Sequence, residues 1–420
     1  MKINKAFKFR IYSNSQQKQF LAQSFGCARF VYNRFLRQRI DYYVANAKGL
    51  NYFDNSAALT QLKKESEFEW LKDVNSQSIQ QTLRNLDVAY NNFFNKKAKF
   101  PNFKKKSNKQ SFNVPQHFSI HDNMLDIPKC KRIKIKLYRD IEGTIKSITI
   151  SKTPSGKYFA SVLCELEIPE PIYSGGEIGI DYGVKAFITT SDVKSIDSPK
   201  FLRKSEKRLN QLSRSFSRKQ PSVLPLHGGT WNAKNRYKAQ KQLARQHEKV
   251  SNQRQDFLNK TSKQLVSDNQ AIYIESLAIR NMVKLHTLAK SISDSGWNTF
   301  VNMLKYKGQW YGCRIIEIDR WFPSSKRCHV CGYIKDNLAL SDRSWLCPEC
   351  NTNHDRDVNT AINILTFGRA GIARTILPSL CSSVARWNVI GETRNACGEG
   401  SSFQISSEIS PSLKQEAHEL

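Results

Sequence analysis

Three acidic residues, Asp181, Glu275 and Asp357, stand where a chain can gather oxygen ligands. Asp181 ends the apolar run Ile178-Gly179-Ile180, Glu275 ends Ala271-Ile272-Tyr273-Ile274, and Asp357 opens a helix-forming stretch. A lone carboxylate at a strand end is commonly a cap or turn former. Three in the order Asp, Glu, Asp, within a βββαβα-like succession, also suit Mg²⁺ or Mn²⁺, hard cations that take oxygen ligands. Two such ions about 3.5–4 Å apart can activate water and stabilise the leaving oxygen of a phosphodiester. The helix dipole favours the ionised form of Asp357.

A second constellation lies just upstream of Asp357. Cys328-His329-Val330-Cys331 and Cys347-Pro348-Glu349-Cys350 are separated by 15 residues. Two Cys-x-x-Cys knuckles at that distance read as a tetrahedral Zn²⁺ site, with accidental spacing or disulfides as the alternative. Four thiolates leave no open coordination position, so the expected role of zinc is structural. His329 and His354 are then surplus to the metal and expected at the surface. The other cysteines are Cys27, Cys130, Cys164, Cys313, Cys381 and Cys397. Cys27 and Cys164 fall in apolar patterns, as buried thiols do, and a reducing cytoplasm fits better than secretion.

The chain of 420 residues suggests about two to four domains. Its 66 Lys and Arg against 36 Asp and Glu leave a net charge of +30. A surplus of that size, interleaved with aromatics, points to a polyanionic partner such as nucleic acid; a basic protein without one is the alternative. No run approaches the ~18 uncharged apolar residues of a membrane span. Met1-Lys2-Ile3-Asn4-Lys5 leads into alternating residues rather than a signal-peptide core.

Elements able to position these groups follow from periodicity. Phe7, Phe9 and Ile11 alternate with Lys8, Arg10 and Tyr12, a half-buried strand. Ser13-Asn14-Ser15 then offers a cap to a helix carrying Phe20, Leu21, Phe25, Ala28, Val31, Tyr32, Phe35 and Leu36. A second helix starts near Asn75 and Ser76 with Ile79, Leu83, Leu86, Tyr90, Phe93 and Phe94 on one side. Both stripes read as core, while Arg29, Arg34, Arg37 and Arg39 could meet phosphate.

Strands return at Ile133, Ile135 and Leu137, and over Tyr158 to Ile168, so a small β-domain holds a helical insertion. Pro169, Pro171 and Ser174-Gly175-Gly176 mark its boundary. Beyond it lie a glycine-turned pair of strands, a basic helix over Phe201 to Lys219, and a Pro-, Ser- and Gly-rich break over 220–229. A long helix through Leu265 follows, with His247 read as a satisfied core residue. Next come the strand ending at Glu275, a helix over Asn298 to Trp310, a strand over Cys313 to Ile318, and a helix from Asp357 to about Phe367. The polar, serine-rich end of the chain is expected to be a mobile tail.

Between the second helix and the later strands runs Lys96-Lys97-Ala98-Lys99-Phe100-Pro101-Asn102-Phe103-Lys104-Lys105-Lys106. It is either a solvated linker or a nucleic-acid-binding loop. In the second case Lys96, Lys97, Lys99, Lys104, Lys105 and Lys106 grip phosphates while Phe100 and Phe103 stack on bases.

At these residues the sequence resembles the TnpB family, insertion-sequence proteins also labelled OrfB or putative transposase and related to type V CRISPR effectors. The resemblance rests on Ile178-Gly179-Ile180-Asp181-Tyr182-Gly183, Ile274-Glu275-Ser276-Leu277, Leu288-Ala289-Lys290-Ser291-Ile292, Pro323-Ser324-Ser325-Lys326 with the four cysteines, and Asp355-Arg356-Asp357-Val358-Asn359-Thr360-Ala361-Ile362-Asn363-Ile364. It extends to about residue 367.

It implies an α/β RNase H-like (RuvC-like) nuclease domain with an inserted zinc ribbon, plus an N-terminal β-barrel wedge domain with a helical recognition insertion. Laid on this chain, the wedge domain covers 1–12 and 96–170 and the helical recognition domain 13–95. The nuclease domain covers 177–320 and 355–370, the ribbon 321–354, and a variable tail 371–420. The resemblance implies a catalytic triad of Asp181, Glu275 and Asp357 holding Mg²⁺ (or Mn²⁺), with Arg343 a candidate for stabilising the scissile phosphate and Cys328, Cys331, Cys347 and Cys350 holding Zn²⁺. Ser276, Tyr182 and Ser13 depart from the family's usual Asp, aliphatic and Pro, and 220–235 reads as an insertion.

The function expected is an RNA-guided DNA endonuclease of a transposable element, acting with a guide RNA from the transposon end on double-stranded DNA, in a prokaryotic cytoplasm and nucleoid-associated. Two alternatives stand beside it. One is a strand-transfer transposase, although those commonly order their carboxylates Asp, Asp, Glu. The other is a cleavage-silent RNA-guided repressor, which would be free to lose the triad.

Overall fold

A computed structural model describes residues 1–168, 175–219, 232–284, 286–339 and 341–376. The boundary at Pro169 to Ser174, the break over 220–229 and all but the start of the expected tail lie outside them. Met1–Ala370 forms one compact unit; Gly371–Leu420 forms a second, of which 371–376 is described.

Strand β1 (Lys2–Tyr12) buries Ile3, Phe7, Phe9 and Ile11 on one face, with the partly buried Lys5 interrupting the alternation between Ile3 and Phe7. Helix α1 (Ser15–Asn46) begins at a capping box in which the Asn14 side chain accepts from Gln17 N and Gln17 returns the bond. Helix α2 (Tyr52–Leu62), a 3₁₀ helix (Ser66–Asp73) and α3 (Ser76–Phe94), capped by Asn75, complete a helical layer. Its core joins Val31, Phe35, Leu36, Leu59, Leu71, Ile79, Leu83 and Leu86.

Arg39 does not face outward from this layer. It is 5% exposed, donates to Asn55 Oδ1 at 2.5 Å and pairs with Asp87 at 3.0 Å. A phosphate could reach it only at the expense of those buried partners.

Six more strands follow: β2 (Gln110–Val114), β3 (Ser119–His121), β4 (Met124–Ile127), β5 (Cys130–Lys136), β6 (Thr144–Lys152) and β7 (Tyr158–Glu167). With β1 they make one antiparallel sheet in the order β2-β6-β7-β1-β5-β4-β3, around a core that includes Phe7, Phe9, Phe112, Leu125, Ile133, Ile148 and Val162. The helical layer is thus inserted between β1 and β2, strands consecutive in the chain but separated in the sheet by β7 and β6. Cys27 and Cys164 are buried.

The second sheet contains β8 (Gly176–Tyr182), β9 (Ala186–Thr190) and β10 (Ser195–Asp197), then β11 (Asn269–Glu275) and β12 (Arg314–Ile318), in the order β10-β9-β8-β11-β12. Strands β8, β11 and β12 run parallel, and β9 is antiparallel to β8. Parallel neighbours need long crossovers. These are supplied first by α4 (Phe201–Ser217) and α5 (Asn232–Asp268), then by α6 (Ile279–Met282), α7 (His286–Ser295) and α8 (Trp297–Tyr311). Ile180, Phe187, Ile272, Ile274, Leu258, Trp297, Phe300 and Leu304 pack between these helices and the sheet. His247 is exposed on α5, because the buried stripe passes through Val250 and Leu258 instead.

The cysteine segment carries a short hairpin, β13 (Ser344–Leu346) and β14 (Asn353–Asp355), and α9 (Arg356–Ile376) follows without a break. Among the described residues no helix is long and apolar enough to cross a membrane.

Candidate active site and cysteine ribbon

Parallel pairing puts two of the three carboxylates side by side. Ile274 is in register with Ile180, so the next residues, Glu275 and Asp181, share the carboxyl edge of the sheet. Glu275 also pairs with Ile318, the last residue of β12. In open α/β sheets that edge is where ligands bind.

Asp357 arrives on α9. A Cβ on Gly179 would sit 2.1 Å from the Ala361 carbonyl, and one on Gly368 would sit 2.2 Å from the Tyr273 ring. The helix therefore lies directly on β8 and β11, in contact that these two glycines permit. From Gly179 to Asp181 is two residues along the strand; from Ala361 back to Asp357 is one helical turn. The acidic first turn consequently lies over the strand ends. Asp355 is otherwise occupied: its Oδ1 accepts from the N–H of Asp357 and of Val358, each at 3.0 Å, as a helix cap.

Electrostatics register the convergence. Burial raises the Asp181 carboxyl well above the usual range, and the charges of Asp357 and Glu275 raise it further; the Tyr182 N–H and Arg356 act the other way. Burial also raises Glu275. Oxygen donors crowded by like charge and short of water are chemically matched to a hard divalent cation.

Arg343, just before β13, sets a guanidinium nitrogen 3.5 Å from Asp357 Oδ2, and its carbonyl accepts from Arg356 N at 2.8 Å. Its side chain is 59% exposed, so the pair contributes little stability and can be exchanged for another anion. Arg356 also donates to the carbonyls of Ala339 and Asp342.

Cys328, Cys331, Cys347 and Cys350 bring their sulfurs within 4.8 Å of one another. Zinc–sulfur bonds of about 2.3 Å in a tetrahedron require sulfurs about 3.8 Å apart, so the quartet could hold zinc. Cys328 and Cys350 approach to 3.6 Å, and Cys331 and Cys347 to 3.5 Å. His354 is not at the surface. It is 2% exposed, packs on Trp345 and places Nε2 3.1 Å from Cys328 Sγ. Its place on β14 opposite Trp345 turns it inward. His329 is exposed.

Within the Lys96–Lys106 loop, Lys96, Lys97, Lys99, Lys105 and Lys106 face solvent. The two phenylalanines are in use. Phe100 meets Tyr90 and Phe93 edge-on, and Phe103 packs on the helical core under Arg37. Lys104 sits over the Tyr32 ring at 3.9 Å, and Asn33 brackets its backbone with two hydrogen bonds. Phe103 is therefore no free stacking platform, because α1 and α3 leave an apolar seat that it fills. Phe100 keeps 42% exposure.

Family models match three segments: "Helix-turn-helix domain" over 1–48, "Probable transposase" over 161–286, and "Cas12f1-like, TNB domain" over 297–364. A Streptomyces pristinaespiralis protein named "Putative RNA-guided DNA endonuclease" is 38% identical over 376 residues, spanning 88% of this chain and 91% of its own. The chain belongs to the TnpB family.

A second TnpB relative, "Putative RNA-guided DNA endonuclease InsQ" of Escherichia coli (strain K12), is 31% identical over 391 residues, spanning 89% of this chain and 94% of its own. Among solved structures, the protein of a cryo-EM Cas12f1-sgRNA-target DNA complex shares the fold, with a TM-score of 0.52 at 14% identity over 86% of this chain and 98% of that one. The segment matching the helix-turn-helix description is here one strand and one long helix, β1 and α1. In the TnpB chain, Arg356, Asn359 and Asn363 carry roles that residue type alone does not announce, and His354 turns inward where the sequence places it at the surface. Their clustering around Asp357, in a stretch already singled out, was the available signal.

Proposed function

We propose that this TnpB chain is an RNA-guided, Mg²⁺-dependent DNA endonuclease encoded by a transposable element. The observation that carries the proposal is the meeting of Asp181, Glu275 and the first turn of α9 at one sheet edge, in a chain whose full-length relatives are named as RNA-guided DNA endonucleases. The strand order, numbered within that sheet as 3-2-1-4-5 with strand 2 antiparallel, supports an RNase H-type (RuvC-like) nuclease domain over 177–320 and 355–370, interrupted by a ribbon over 321–354. The seven-stranded sheet with its helical insertion supports a wedge domain of 1–12 and 96–170 around a recognition domain of 13–95.

In this mechanism Asp181, Glu275 and Asp357 would hold Mg²⁺ (or Mn²⁺), whose bound chemistry would be water activation and stabilisation of the leaving oxygen. The protein's own part is positional. The sheet sets Asp181 beside Glu275, and α9 sets Asp357 across from them. Arg343 exchanges its weak bond to Asp357 for the scissile phosphate once the carboxylate is otherwise engaged. The exposed lysines of the 96–106 loop, and the α4 face bearing Lys207 and Arg214 with Arg218 just past its end, hold RNA and DNA backbones. Guide pairing reads the target, and the protein reads a short adjacent motif and duplex shape. Zn²⁺ on the four cysteines is structural.

The test is to express the protein with its flanking element, sequence the RNA that copurifies, and supply DNA matching that guide. A specific RNA and Mg²⁺-dependent cutting of matched DNA are expected. Recovery of no specific RNA, with direct joining of transposon ends by the purified protein, would establish the transposase reading instead.

A further inference from the structure

The cysteine ribbon and the helix bearing Asp357 are bolted together through side chains that ordinary packing does not require. Two asparagines one turn apart on α9, Asn359 and Asn363, are 1% and 4% exposed. Buried amides of that kind must be fully bonded to be tolerated. Asn359 Nδ2 donates to the Arg327 carbonyl at 2.8 Å, and its Oδ1 accepts from His329 N at 3.1 Å. The same Oδ1 lies 2.9 Å from His329 Nδ1. Asn363 Nδ2 donates to the carbonyls of Ser324 at 2.9 Å and Arg327 at 2.6 Å.

These bonds grip the backbone on both sides of Cys328. From the other direction His354, three residues before Asp357, approaches Cys328 Sγ. The first knuckle is therefore tied to the chain on both sides of Asp357. Movement of the knuckle on losing its metal would be transmitted to the acidic turn.

Resting on the nuclease reading above, we propose that Asn359 is a positioning residue that couples the cysteine site to the carboxylate site. Through its clamp on His329 and Arg327, a zinc-filled knuckle holds Asp357 where a divalent cation can be shared with Asp181 and Glu275. Outer residues that orient metal ligands change metal affinity about 10–100-fold when removed. Coupling between binding sites is reciprocal, so cation binding at the carboxylates must also tighten zinc.

The experiment uses the full chain with its copurified RNA. Mn²⁺ binding is followed by electron paramagnetic resonance, zinc content by elemental analysis, and cleavage by Mg²⁺ titration. Asn359→Leu keeps the side-chain size and removes the clamp. The expected result is a zinc-replete, folded variant whose Mn²⁺ affinity falls about tenfold, with cleavage recovering at high Mg²⁺. Affinity within twofold of wild type in such a variant overturns the coupling and leaves the nuclease reading standing. Wild type that binds no Mn²⁺ sensitive to Asp181→Asn overturns both. If Asn359→Leu does not fold, wild type alone decides: zinc release to a chromogenic chelator must slow severalfold when Mg²⁺ is added, and an unchanged rate refutes the coupling.

Discussion

Replacing Asp181 by Asn should make the metal-free protein more stable while removing its cleavage activity. Asp181 and Glu275 stand side by side on adjacent parallel strands, about 4.8 Å apart along the hydrogen-bonding direction. Two ionised carboxylates ~5.5 Å apart at an effective dielectric near 20 repel by about 3 kcal/mol. Splaying of the partly buried side chains, with the water that still reaches this edge, reduces this to about 2 kcal/mol. The amide fills the same space without charge. For the compact unit Met1–Ala370, that corresponds to a rise in Tm of about 2–3 °C.

The pH dependence has a definite sign. Burial and then the neighbouring charges raise the Asp181 carboxyl, so the folded state holds this proton more tightly than the unfolded chain does. Wild type therefore loses stability as pH rises from the ordinary aspartate range through the raised one. The variant escapes that loss, so the two should melt alike near pH 4 and diverge above it. Melting curves in magnesium-free buffer without chelator measure the difference. Guided cleavage in Mg²⁺ should fall at least about a thousandfold, the kinetic equivalent of losing ~4 kcal/mol of transition-state stabilisation. A variant that melts at or below wild type at pH 8, or that still cuts efficiently, would refute the placement of Asp181 in a crowded carboxylate site.

Two further substitutions probe the scaffold. Cys347→Ser should abolish stoichiometric zinc and loosen the ribbon, since a structural Zn²⁺ contributes about 10 kcal/mol or more of apparent binding energy; elemental analysis and the fluorescence of the neighbouring Trp345 report both. Gly179→Ala places a Cβ against the Ala361 carbonyl and Leu365, so α9 must lift from β8. A loss of about 3 kcal/mol in denaturant melts, accompanied by lost cleavage, is expected; an unchanged melt would contradict the close contact.

Several elements were legible because local rules and tertiary burial agree. β7 alternates without interruption and β1 does so from Phe7 to Tyr12, and the caps at Asn14 and Asn75 stand where their side chains name them. β6 escaped because a register shift between Ile145 and Ser147 breaks its alternation. α2 escaped because its buried face includes Asn55, a polar residue made apolar in effect by Arg39. Arg39 itself, His354 and Phe103 all carry polar or functional chemistry on paper, yet each is consumed by the interior. Only partners distant in sequence, Asp87, Cys328 and the α1–α3 seam, decide that.

By itself the sequence determined the chemical inventory: four cysteines at metal-site spacing, carboxylates at strand and helix ends, a polyanion-seeking charge and the family. These are properties of residue type and interval, which survive without coordinates. Tertiary structure alone decided how the pieces meet. Parallel register set Asp181 beside Glu275, while Gly179 and Gly368 let α9 lie on the sheet. The cap gave Asp355 a structural task and left Asp357 the open one. Whether a carboxylate meets a second carboxylate, or a buried amide clamps a neighbouring segment, is decided by partners far along the chain, and local spacing carries no record of them.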